Sequence, residues 1–152
     1  MSTGTFQLFD SALLKIHDGT INLATDDFYC ALTTSTQTIT KGTTPFDDAV
    51  YADLTAELTT LHGYTSGGVL ITGIALTQTA GVFKLDCDDI SWTAAGGSLT
   101  SKYFVIYSDT ATNKDLLGFG LLNSTGADVT VVSTEPLTIT IAANGLFTTT
   151  AA

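Results

Sequence analysis

The residues that could carry chemistry are few. The acidic run Asp86-x-Asp88-Asp89 places three carboxylates within four positions. Carboxylates at such spacing in a loop are candidate ligands for calcium, a hard cation that takes oxygen donors. The run lacks the glycine and the terminal glutamate of the twelve-residue calcium loop. Asp86, Asp88 and Asp89 are therefore a weak metal candidate, and a solvated loop is the simpler reading. The two histidines, His17 and His62, are far apart in sequence. A triad needs a base oriented by an acid beside a nucleophile, and no G-x-S-x-G is present to place one. Cys30 and Cys87 have no Cys-x-x-Cys or His-x-x-x-His neighbour, so zinc is not indicated. Each lies on the apolar face of a strand-like run and reads as a buried free thiol. Gly63-Tyr64-Thr65-Ser66-Gly67-Gly68 lacks the lysine and the following helix of a phosphate loop, and reads as a turn. Trp92 is the only tryptophan. Its alternatives are a sugar-stacking platform and a core or edge filler. No catalytic residue and no cofactor are expected.

Composition narrows the classes further. The chain has 152 residues, fifteen acidic against five basic, and a net charge of -10. All five basic residues are lysines. Nucleic acid and anionic lipid would repel such a chain, and the usual bidentate phosphate clamp, arginine, is missing. Charged residues make up 13 %, against roughly 25 % in an average domain. A 44 % hydrophobic share is too high for disorder. No apolar run approaches the roughly 20 residues that span a bilayer. The first residues carry no basic and apolar leader pattern, so synthesis in a cytoplasm is expected.

The elements that would position these residues are mostly strands. Apolar positions 9, 12, 13 and 16 fit a short helix over 10–16, with Gly19 as its stop. Alternation marks a strand over 28–34, then a loop over 35–48. Tyr51, Leu54 and Leu58 recur at i, i+3 and i+7, which predicts a second short helix over 51–60. Strands are predicted over 69–79, 82–87, 102–109, 116–122, 128–133 and 137–142, with Ala80-Gly81 and Asn144-Gly145 as turns. The expected fold is all-β: an antiparallel β-sandwich or jelly roll of about seven to eight strands with one or two short helices. The expected division is an N-terminal arm or short helix over 1–27 and a single β-sandwich domain over 28–152.

Two strings resemble a known group. One is Tyr51-x-Asp53-Leu54-x-x-Glu57-Leu58 followed by Gly63-Tyr64-Thr65-x-Gly67-Gly68-x-Leu70. The other runs from Ser91-Trp92-Thr93-Ala94-x-Gly96-Gly97-Ser98-Leu99-Thr100 through Lys102-Tyr103-x-Val105-Ile106-Tyr107-x-Asp109 to Leu116-Leu117-Gly118. The stretches Thr25-x-x-x-Phe28-Tyr29-x-Ala31-Leu32-Thr33 and Leu137-Thr138-Ile139-x-x-Ala142-x-x-Gly145-Leu146-Phe147 are similar as well. They resemble small virion structural proteins of tailed bacteriophages, over most of the chain and in order. Members of that group serve as capsid decoration, head-fibre or tail-associated proteins and have no catalytic residues to transfer.

The resemblance implies a non-enzymatic virion protein. The first expectation is a capsid decoration (cement) protein on the outer surface of the head, bound to the major capsid protein or another virion protein. It would be a homo-oligomer, with a trimer expected. The alternatives are a tail or head-fibre protein and, in another class, a carbohydrate-binding module using Trp92 and nearby tyrosines. The apolar segment 5–16 is the candidate docking arm, with Phe6, Leu8, Phe9, Leu13 and Ile16 as interface residues.

Overall fold

The computed structural model describes residues 3–151. It is mostly β, with several antiparallel sheets and one α-helix among the described residues. The chain opens with β1 (Gln7–Leu8), α1 (Asp10–His17) and β2 (Phe28–Thr33). Then come β3 (Val69–Leu70), β4 (Ala75–Thr79), β5 (Val82–Asp86), β6 (Ile90–Thr93) and β7 (Leu99–Ser101). The last elements are β8 (Tyr103–Ser108), β9 (Leu116–Leu121), β10 (Val129–Val131), β11 (Pro136–Ile139) and β12 (Phe147–Thr150).

The largest sheet has the order β1-β9-β8-β2-β3. Its centre is the β2/β8 pair, in register from Phe28 opposite Ser108 to Thr33 opposite Tyr103. Alternation alone would bury one face of β8. Here Phe104, Val105, Ile106 and Tyr107 are all buried, because both faces of this central strand are covered. A second sheet, β12-β5-β4, is built on the hairpin at Ala80-Gly81, where both residues take positive φ, 51° and 82°. That is the backbone shape a two-residue hairpin needs to follow strand twist. Two further pairs, β10-β7 and β11-β6, complete the β structure. Buried side chains from these sheets join one hydrophobic cluster.

Glycines in β9 make the core possible. A Cβ on Gly118 would run into the Phe6 ring, and one on Gly120 into the Phe104 ring. Those two rings stack on each other at 6.2 Å. Missing side chains on one strand are thus filled by aromatics from its neighbours.

Several expectations need correction. The helix over 51–60 is absent: only Tyr51–Asp53 makes a single 3-10 turn. After a turn at Thr55-Ala56 the chain runs beside β2, with Thr34 N–H bonded to Ala56 O, Leu58 N–H to Leu32 O, and Glu57 bridged to Thr33. Partners across the sheet satisfy this backbone, so helical spacing of the side chains does not decide it. The loop 35–48 contains an unforeseen 3-10 turn, Phe46–Asp48, whose Phe46 is fully buried. The strand over 69–79 is two strands in two sheets, separated at Gly73 with φ of 66°. Among the described residues pairing also divides the β regions into twelve short strands, not seven or eight.

The N-terminal segment is built into the β body. β1 extends the large sheet at its β9 edge, and Phe9 is fully buried against Phe46 and Phe119, with ring centroids 5.5 and 5.1 Å away. The segment is apolar because it fills the core. The predicted helix over 10–16 is present as α1, and a further edge strand, β12, follows the Asn144-Gly145 turn.

Candidate functional site

The acidic run does not converge. Asp86 pairs with Lys84 at 2.9 Å, and that ammonium holds its carboxyl below the ordinary range. Asp88 accepts the Thr72 hydroxyl at 2.8 Å, and Asp89 accepts the Ile141 backbone N–H at 2.8 Å. Asp86 is paired within its own strand, while Asp88 and Asp89 tie the loop to two other segments. Among the described residues no group of three or more His, Cys, Asp or Glu is placed to hold a metal ion. The calcium candidate therefore has no geometry behind it.

His17 donates through Nδ1 to the Leu13 carbonyl at 2.6 Å, closing the end of α1. His62 sits in a turn with φ of 54°, its ring against Gly97. Trp92 is only 6 % exposed and lies against Tyr64 at 6.4 Å. It is a core side chain, and the sugar-stacking alternative loses its platform. Gly68 has φ of 81°, and a Cβ there would strike the Cys30 carbonyl. The glycine pair at 67–68 thus brings β3 close to β2.

Of the docking candidates, Phe9 is buried, while Phe6, Leu8 and Ile16 pack partly into the cluster. Leu13 remains 45 % exposed, joined by Leu14 at 68 %. Leu14 escaped the sequence reading because helical spacing assigned the inner face to 9, 12, 13 and 16. In the fold α1 buries Ala12, turns Lys15 inward and leaves two adjacent leucines outside.

Two polar constellations were missed. The first centres on Glu57. Its Oε1 accepts the Tyr64 hydroxyl and the Gly67 N–H, both at 2.6 Å, and its Oε2 accepts the Tyr51 hydroxyl. The Tyr64 hydroxyl oxygen also accepts the Leu32 N–H at 3.0 Å, and the Tyr107 hydroxyl donates to the Gly67 carbonyl at 2.9 Å. The Tyr51 and Tyr107 rings lie 4.6 Å apart. One carboxylate thereby locks residues 51–67 onto β2 and β8. Burial, then the bond to Glu57, raises the Tyr51 and Tyr64 phenols. Burial, then neighbouring acidic groups, raises Tyr107. These phenols are donors at neutral pH, and both Glu57 oxygens are occupied, so the cluster fastens a loop.

The second is Lys15. Its Nζ lies 2.5 Å from Asp115 Oδ1 and 2.6 Å from Asp48 Oδ1. Burial lowers the amine, but hydrogen bonds to Asp115 and Asp48 outweigh it and leave it raised. Asp115 is 1 % exposed, and its Oδ2 has no hydrogen-bond partner among the described residues. No local pattern could reveal this pair, which is separated by 100 positions.

Cys30 and Cys87 are both buried and free of disulfide, as their strand faces implied. Burial, then the neighbouring Asp86, Asp88 and Asp89, pushes the Cys87 thiol from 9.0 up to about 11. Burial, then Cys87, pushes Cys30 well up. Unfolding releases these thiols and the three phenols to ionise at their ordinary values. The stability they contribute is complete below pH 9 and declines as pH rises through about 11. Melting temperatures measured across that window should fall progressively. Thiol titration should find little reaction in native protein and both thiols after denaturation. A flat alkaline profile with rapid native labelling would contradict the assignment.

A shallow cleft of about 250 Å³ lies between residues 3–6 and 139–146, over Phe6 and Phe104. No ionisable side chain lines it. Comparison of the chain with protein-family models, curated proteins and solved structures gives no match.

Proposed function

We propose that this protein is a non-enzymatic structural component of a tailed-bacteriophage virion, a capsid decoration (cement) protein on the outer surface of the head. The observation that carries this reading is the pair Leu13 and Leu14, held outward on a helix that the body anchors from below. Exposed apolar side chains on a rigid support suit a docking contact. The ordered resemblance to small virion proteins supports the same reading. So does the acidity, which would keep the protein off packaged DNA. We read the sheets as the layers of a β-sandwich or jelly roll around their shared cluster. Attachment would gain strength from repeated weak contacts of a symmetric oligomer, a trimer in the simplest arrangement.

Because Phe9 belongs to the core, deleting residues 5–16 would damage the body and test nothing about docking. The informative variant is Leu13→Asp combined with Leu14→Asp. Fully burying a leucine contributes about 1.5–3 kcal/mol. Losing even part of two such contacts should weaken binding to stripped heads by about a hundredfold, at 1.4 kcal/mol per tenfold. The melting temperature should barely move, since surface changes usually stay within about 0.5 kcal/mol. Co-sedimentation with stripped heads and calorimetry read the two effects separately. Equal co-sedimentation of both forms would rule out this face, and no binding by the parent protein would defeat the head-shell reading. Electron microscopy showing the protein on the tail would move it to the tail or head-fibre alternative.

A further inference from the structure

We propose that Lys15 and Asp115 are the two halves of an intramolecular isopeptide bond, with Asp48 moving the proton between them. This goes beyond the virion reading and does not depend on it. An amine and an acid that meet at the surface remain a hydrated ion pair. The pairs Lys41–Asp10 and Lys114–Asp109 are of that kind, with side chains between 37 and 66 % exposed. The Lys84–Asp86 pair is partly exposed on both sides. Lys15 and Asp115 differ: their side chains are 13 % and 1 % exposed, and their polar atoms meet at 2.5 Å. Burial removes the hydration that keeps both charges apart. Among the described residues Asp115 Oδ2 has no hydrogen-bond partner, while Oδ1 makes the contact to Nζ.

The fold holds all three groups in place. Lys15 stands in the last turn of α1, Asp115 is bridged to Val50, and the Leu116 N–H is bonded to Ala49 O. Asp48 ends the 3-10 turn just before that bridge. Its side chain is 81 % exposed while touching Nζ at 2.6 Å, so it connects the buried pair to water.

The step balances without any co-reactant. The hydrogen bonds to Asp115 and Asp48 keep the resting amine as an ammonium, and the step begins as one of its protons passes to Asp115, giving a neutral amine and a carboxylic acid. The Nζ lone pair forms a bond to Cγ. Asp48 takes a second proton from nitrogen and delivers it to the departing hydroxyl. The Cγ–O bond breaks, water leaves, and the third hydrogen stays on the amide. Holding the reactants in contact supplies much of what the reaction lacks in solution. The product staples α1 to the start of β9 across 100 residues of chain.

Intact mass spectrometry of the denatured full-length protein should read one water below the mass of the linear sequence. Trypsin cuts after lysine but not after an amidated one. Digestion should therefore give residues 1–41 joined to residues 115–152. Lys15→Arg should restore the linear mass, because the guanidinium cannot form this bond. Asp115→Asn should keep the link, now with loss of ammonia. Asp48→Asn should lower the linked fraction at early times. Full linear mass in aged parent protein, with peptides 1–15 and 115–152 released free, would overturn the proposal. So would a water deficit that persists in Lys15→Arg, and the parent mass decides even if a variant fails to fold.

Discussion

Replacing Glu57 by alanine should lower the melting temperature by about 10 °C. Glu57 accepts three donors: the Tyr64 and Tyr51 hydroxyls and the Gly67 N–H. Hydrogen bonds to a charged acceptor contribute about 1.5–3 kcal/mol each, and an orphaned buried donor costs about 1–3 kcal/mol. Water can reach the partly exposed Tyr51, so its loss is partly repaired. Tyr64 is 2 % exposed, so its hydroxyl loses its acceptor outright. A total of about 3–4 kcal/mol is expected, and at this size 1 kcal/mol shifts the midpoint by about 2–4 °C. Glu57→Gln keeps an acceptor oxygen and should lose roughly half as much. Combining Glu57→Ala with Tyr51→Phe should cost clearly less than the sum, because the two share one bond. Calorimetry of the parent, Glu57→Ala, Glu57→Gln, Tyr51→Phe and the double variant checks this. Additive losses, or a Glu57→Ala shift of a degree or two, would show that the loop 51–67 is held by apolar packing alone.

The second large effect is expected at Phe9. Its ring is fully buried between Phe46 and Phe119 at the junction of β1 and α1. Phe→Ala at such a site costs about 3–5 kcal/mol through lost transfer energy and the cavity left behind. The midpoint should fall by about 12 °C. Phe9→Leu refills most of the space and should recover over half of the loss. The contrast with Leu13 and Leu14 is the useful part. All three belong to the same apolar stretch, yet only Phe9 should report on folding and only the leucines on docking. A Phe9→Ala protein that melts like the parent would restore the segment to a detachable arm.

Much of the β structure was legible because its signals are local. Alternation over 28–34 and 102–109, the Ala80-Gly81 turn and the apolar spacing of 10–16 each act within a few residues, and each produced its element. The burial of Cys30 and Cys87 followed from their strand faces. The segment after Tyr51 shows where local reading stops. Its i, i+3, i+7 spacing is real, but Thr34 and Leu32 offer backbone partners that no nearby residue could supply. A hydrophobic pattern records which side chains prefer burial, and several backbone paths can satisfy the same preference.

What the sequence by itself determined is the class: an acidic, Thr-rich, mostly β chain whose apolar runs are too short to cross a bilayer as helices. Its candidate sites belonged to the tertiary structure. Asp86, Asp88 and Asp89 are neighbours in the chain, but Lys84, Thr72 and the Ile141 N–H draw them to separate partners. Glu57 meets Tyr51, Tyr64 and Gly67 only because residues 56–58 run along β2 and the next loop folds back. Lys15 meets Asp115 across 100 residues because β9 joins the sheet beside β1 and α1 packs over it. Burial and long-range pairing decide which polar groups meet without water between them, and those contacts arise only when the sheets assemble.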